Sequence, residues 1–198
     1  MAASRIEELI CSRAFPYLRP YFYNQPYALR CELGMGKTDD AWISNAYKQA
    51  AAICDILCPD GADAVLFNCW YDGNTAGAEE QEQFLAQYTA RYRHVILENM
   101  PVYDPDDTQL RRNRVVCFSD GLGFNLQDLI QRQISGEDEH EISFVSFRNE
   151  CIISVYDDRG CDIVFANLRK MRAFYPALQP YFLDCDRAEM QRRYEEGV

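Results

Sequence analysis

The sequence predicts an α/β domain, with α+β as the alternative: one mixed β-sheet flanked by helices and closed by a C-terminal antiparallel meander. Three observations carry this. Through the first two thirds of the chain, segments with helical spacing of apolar residues alternate with short apolar runs, the pattern of strand–helix–strand units. The last third instead holds three β-rich runs, residues 142–147, 151–156 and 161–165, separated only by short polar breaks. The chain is 198 residues long, 48% apolar and 13% aromatic. That is enough for one core, so residues 1–198 are read as a single globular unit.

Taken in order, Ser4 caps a first helix over residues 4–14, in which Ile6, Leu9, Ile10 and Arg13 share a face, and Pro16 and Pro20 stop it. Residues 27–33 form a first strand that ends at Gly34 and Gly36. Thr38 or Asp39 then caps a long helix to about residue 57, where Trp42, Ala46, Ala50, Ile53 and Leu57 make one stripe. After the Pro59–Gly61 turn, the run Ala64, Val65, Leu66, Phe67, Cys69, Trp70 reads as a central strand covered on both faces. Residues 76–92 read as a helix with Phe84, Leu85 and Tyr88 inward, and 95–97 as a brief strand. Residues 100–114, with Pro101, Pro105 and an acidic turn, read as a loop. Residues 115–118 form a strand, 125–134 a helix capped by Asn125, and 135–139 an exposed acidic turn. The meander follows, and helices over 168–175 and 187–195 finish the chain.

Charge and cysteine content bound the function. The net charge is −11, from 31 acidic against 20 basic residues. That balance opposes attachment to nucleic acid or to an anionic membrane and suits a basic protein partner. No stretch approaches the roughly 18 apolar residues of a membrane span. The first ten residues carry Arg5, Glu7 and Glu8 in place of an apolar signal core, so the expected compartment is the cytoplasm. Nine cysteines, odd in number and set mostly among apolar neighbours, read as reduced structural thiols.

Motifs for familiar chemistry are incomplete. Gly34, Met35, Gly36, Lys37, Thr38 lies between a strand and a helix like a phosphate-binding loop. The first glycine such a loop needs, five residues before Gly36, is Cys31, so the stretch reads as a turn with its lysine in solvent. Cys54 and Cys58 have no partner pair that would make a zinc site, and neither His94 nor His140 has an orienting carboxylate at a telling spacing. No cofactor is implied.

The most distinctive cluster is Tyr156, Asp157, Asp158, Arg159, Gly160, Cys161, Asp162, read as a tight hairpin with glycine at a left-handed position. Asp162 stands inside an apolar strand, where a carboxylate demands a partner, and Arg30 or Arg159 would answer. A second acidic group, Asp184, Cys185, Asp186, precedes Arg187 and caps the last helix. Were the two groups to meet, their oxygens could hold a divalent cation.

The strand end Leu29, Arg30, Cys31, Glu32, Leu33, Gly34, the hairpin at 156–162, and Leu183, Asp184, Cys185, Asp186, Arg187 occur in an order that resembles a bacterial family. That family is the domain of unknown function numbered three-eight-eight-five. The resemblance spans most of the chain and implies no activity. It singles out Arg30, Glu32, Asp157, Asp158, Arg159, Asp162, Asp184 and Asp186 as the polar positions of interest, first as an ion-pair network tying the first strand to the hairpin, second as a binding site. The leading functional expectation is a non-enzymatic acidic interaction module, of the immunity kind, that neutralises a basic partner. The alternative is a hydrolase or transferase that uses the carboxylates of residues 157–162, with or without a metal.

Overall fold

The computed structural model describes residues 5–15, 21–71, 75–100, 111–136 and 141–197. Helices α1 (Arg5–Ile10) and α2 (Tyr21–Asn24) lead to β1 (Ala28–Glu32), α3 (Asp39–Leu57), β2 (Ala64–Tyr71), α4 (Thr75–Thr89), β3 (Arg93–Leu97) and β4 (Arg111–Phe118). Then come α5 (Leu126–Ser135), β5 (Glu141–Ser146), β6 (Cys151–Val155), β7 (Gly160–Phe165), α6 (Leu168–Leu178), two 3-10 turns (Gln179–Tyr181 and Asp184–Asp186) and α7 (Arg187–Glu196). The expected Ser4 cap and most of the expected 100–114 loop and 135–139 turn lie outside the described residues.

The seven strands of the described residues form one sheet in the order β1-β7-β6-β5-β2-β4-β3, and each pairing among them is antiparallel. The α/β single sheet is as expected, and β5–β7 form the expected meander. Among the described residues the parallel component of a mixed sheet is absent, and the topology gives the reason. Four antiparallel steps separate β1 from β2, so α3 does connect two strands of the same direction, as in a strand–helix–strand unit. Strands β5, β6 and β7 are inserted between them, however, and no parallel ladder can form.

The central strands are covered on both faces: β5, β6 and β7 are buried at every position, and β2 is buried from Ala64 to Cys69. One face carries α3 and α5. The stripe Ala46, Ala50, Ile53, Cys54, Leu57 of α3 is buried, and the Thr38 hydroxyl caps the helix by accepting from the Ala41 amide. The other face lies under α1 and α2, which bury Ile6, Ile10, Tyr21 and Phe22. Helix α6 runs on through Pro176 to Leu178, three residues past its expected end at residue 175. At the β1 edge, the Leu183 amide donates to the Arg30 carbonyl and Phe182 bridges Cys31. The C-terminal turns thus cover part of an edge that would otherwise offer unpaired backbone groups.

Candidate functional site

The register of β1 against β7 assembles the site. Arg30 stands directly across from Asp162, and two positions on, on the same face, Glu32 stands across from Gly160. Asp162 is 0% exposed. Its carboxylate accepts from Arg30 Nε at 2.9 Å and Nη2 at 3.4 Å, and from the Phe22 amide at 2.8 Å. The carboxylate buried in an apolar strand therefore has a charge partner and a backbone donor, as burial requires. Asp186 reaches the same guanidinium from the C-terminal turn, its Oδ2 3.6 Å from Nη1.

Aromatic rings surround the pair. The Arg30 guanidinium lies 4.6 Å from the Tyr23 ring centre, 5.3 Å from Phe22 and 5.6 Å from Tyr156, a cation–π arrangement. Burial works against the Arg30 charge, but the hydrogen bond and field of Asp162 more than offset it, and the pKa rises. Burial, reinforced by the negative charge of Asp162, also raises the pKa of the Tyr156 phenol, so this ring is neutral at physiological pH.

Of the two arginines proposed for Asp162, the structure selects Arg30. Arg159 is 78% exposed and turns back on its own hairpin, its Nη2 2.6 Å from Asp157 Oδ2 and its amide 2.8 Å from Asp157 Oδ1. This local Asx turn, rather than a left-handed glycine, shapes the hairpin. Gly160 does not have a positive φ. It is a strand residue, and a Cβ there would sit 2.8 Å from the Cys31 carbonyl oxygen. Asp184 is 89% exposed and pairs with Arg187 at 3.1 Å. The two acidic groups do meet, through Asp162 and Asp186, but the Arg30 guanidinium occupies the place between them. Among the described residues no group of three or more candidate ligands could hold a metal ion.

Beside this pair opens a cavity of about 380 Å³. Glu32, Gly160 and Arg30 contribute from the strands, Tyr156 and Arg159 from the hairpin, Trp42 from the first turn of α3, and Leu183 from the C-terminal turn. Trp42 is held there by close packing on Gly34, where an added Cβ would come within 2.0 Å of the indole and 2.6 Å of the Asp158 carbonyl oxygen. Side-chain amides of Asn45 and Gln49 donate to the Met35 and Leu33 carbonyls and fix the intervening loop to the helix. This is how the glycine stretch is used: as a seat for Trp42, with Lys37 exposed.

Sequence reasoning missed a second buried polar group on the same sheet face. Arg114 is 0% exposed; its Nε donates to Asn68 Oδ1 at 2.9 Å and its Nη1 to the Phe15 carbonyl at 3.1 Å. Asn68 donates to the Tyr21 hydroxyl and lies across from buried Glu141 on its other side. A signal was present: Asn68 interrupts the apolar run of β2, and Arg114 immediately precedes Val115, Val116, Cys117 and Phe118. Ser154 and Ser143 continue the row from Asp162 across β6 and β5. Their buried hydroxyls have no hydrogen-bond partner among the described residues.

No described helix is long and apolar enough to cross a membrane. Comparisons with curated proteins and with solved structures find no match. Residues 9–186 match a family model described as a domain of unknown function, DUF3885, and the match includes β1, the hairpin and the Asp184–Asp186 turn. The chain belongs to the DUF3885 family.

Proposed function

We propose that this domain is a non-enzymatic interaction module that receives a basic protein partner on the face around the β1 cavity. One observation carries the reading. In and around the cavity the guanidiniums of Arg30 and Arg159 stand against the carboxylates of Glu32, Asp157, Asp158, Asp162 and Asp186. The local imbalance thus has the sign of the net charge of −11. Exposed Asp39, Asp40 and Asp184 extend it, against Lys37 and the Arg187 that pairs with Asp184. An acidic face of this kind steers a basic partner and speeds its encounter. Exposed Met35, on the loop after β1, and Tyr23, on α2, add apolar contact area. Neutralisation of a basic toxin by a bacterial immunity protein is the role we favour. The cytoplasm is the compartment we favour: all nine cysteines are free, and seven of them are buried, where burial raises the pKa of six toward the neutral thiol.

The test is calorimetric titration of the full chain with a small basic protein such as a ribonuclease, at two salt concentrations. Binding that weakens with salt and falls in Asp158→Asn/Asp184→Asn supports the reading, provided that Asp55→Asn/Asp60→Asn, the same charge change at the far end of α3, binds as the parent does. Equal losses in the two variants would reduce the effect to net charge, and no binding to any basic probe would remove the reading.

A further inference from the structure

We infer that the β1 cavity takes one arginine side chain of the basic partner. This rests on the interaction role proposed above and specifies its chemistry. Glu32 is the reason. The residue lines the cavity and is half-buried, and its carboxylate has no hydrogen bond or ion pair among the described residues. The neighbouring acids are committed: Asp162 and Asp186 to Arg30, and Asp157 to Arg159. A carboxylate in no ion pair can take a cation beside it, since the two guanidiniums that share the lining, Arg30 and Arg159, are held by Asp162 and Asp157.

The register shows where that cation fits. One row of the β1–β7 ladder sets a base against an acid, Arg30 against Asp162. The next row on the same face sets Glu32 against Gly160, which has no side chain. A glycine inside a strand marks a place where another group approaches closely, and here the approach is from the cavity. The opening of about 380 Å³ lies in the size range of small-ligand sites, roughly 300–1,000 Å³.

The walls select arginine over lysine. Trp42 and Tyr156 line the cavity with aromatic rings. A guanidinium is planar and weakly hydrated, stacks on such rings, and offers a carboxylate two parallel N–H donors. An ammonium is a strongly hydrated point charge that does neither as well. The domain already satisfies one guanidinium in this way two residues earlier, with Arg30 between aromatic rings and bonded to Asp162. An arginine from the partner would repeat that arrangement at Glu32.

Fluorescence anisotropy with two labelled peptides, alternating arginine–glycine and alternating lysine–glycine, tests this on the full chain. The parent should bind the arginine peptide more tightly. Glu32→Gln, which keeps the volume and removes the charge, should lower that affinity about tenfold, the loss of a charge-assisted contact, and erase the preference over lysine at an unchanged melting temperature. Trp42→Leu should act in the same direction, while Asp158→Asn/Asp184→Asn should weaken both peptides alike. If Glu32→Gln stays within about twofold of the parent while the surface variant weakens both peptides, the interaction role stands and the arginine site falls. If neither peptide binds the parent, both fall. Binding of a glutamate–glycine peptide that is lost in Arg159→Ala would make the cavity an anion site and overturn the inference.

Discussion

Asp162→Asn is the sharpest perturbation of the buried pair. The change keeps the shape and removes the charge. The asparagine oxygen can still accept from the Phe22 amide, which donates to Asp162 at 2.8 Å. The new amide group then stands in the place of Oδ1 and faces Arg30 Nε, which donated there at 2.9 Å, while Nη2 at 3.4 Å shares the retained oxygen. Donor meets donor, and a guanidinium whose side chain is 11% exposed loses its nearest counter-charge. Breaking a buried pair in this way costs on the order of 3–5 kcal/mol, whereas an exposed pair costs about 1 or less. Asp186, 3.6 Å away, and the rings around Arg30 retain part of the compensation, so about 3 kcal/mol is expected. Against a typical domain stability of roughly 5–15 kcal/mol, that leaves a folded but weakened protein. Urea denaturation of the variant beside the parent gives the number. A loss below about 1 kcal/mol would refute the reasoning. The double variant Arg30→Met/Asp162→Leu should cost less than Asp162→Asn alone, because no guanidinium is then left facing an amide donor; what remains is Asp186 without its arginine and the Phe22 amide without its acceptor.

Four further outcomes are expected. Gly34→Ala should lower the melting temperature by several degrees, from a cost of about 1–3 kcal/mol or more, because the new Cβ overlaps the Trp42 indole and the Asp158 carbonyl and the loop must move. Lys37→Ala should stay within about 0.5 kcal/mol of the parent, since its side chain is exposed; a larger loss would mean that the loop has a use missed by this reading. The hydrogen bonds of Arg192 and Arg193 hold the Glu189 carboxyl down at about 2 in the folded state, against an unfolded value of about 4.3. Its contribution to α7 is therefore complete above the unfolded value and is lost as pH falls from there toward 2; Glu189→Gln should lower the melting temperature at neutral pH, where that contribution is whole, and flatten the profile over the acid window. A thiol reagent should modify Cys185 quickly in the native protein, Cys11 more slowly, and the seven buried cysteines only on unfolding, to a total of nine. Two or more disulfides found under native, non-reducing conditions would contradict the structure.

The sequence by itself determined most of the local elements, because periodicity and capping act over a few residues. The α3 stripe, the Thr38 and Asn125 caps and the three-strand meander all follow from near neighbours. It also established that Asp162 must have a cationic partner, since desolvation acts on that residue wherever the partner lies. Only the tertiary structure decided which arginine answers. Arg159 is three residues away but belongs to a turn whose own Asp157 captures it, while Arg30 is 132 positions distant and is brought opposite by strand register. Strand order was undetermined for the same reason: spacing along the chain does not record that three later strands insert between β1 and β2. The cavity is tertiary too. Glu32, Trp42, Tyr156 and Leu183 come from four separate segments, and they share a wall only because β1 pairs with β7 and the C-terminal turn folds back on the β1 edge.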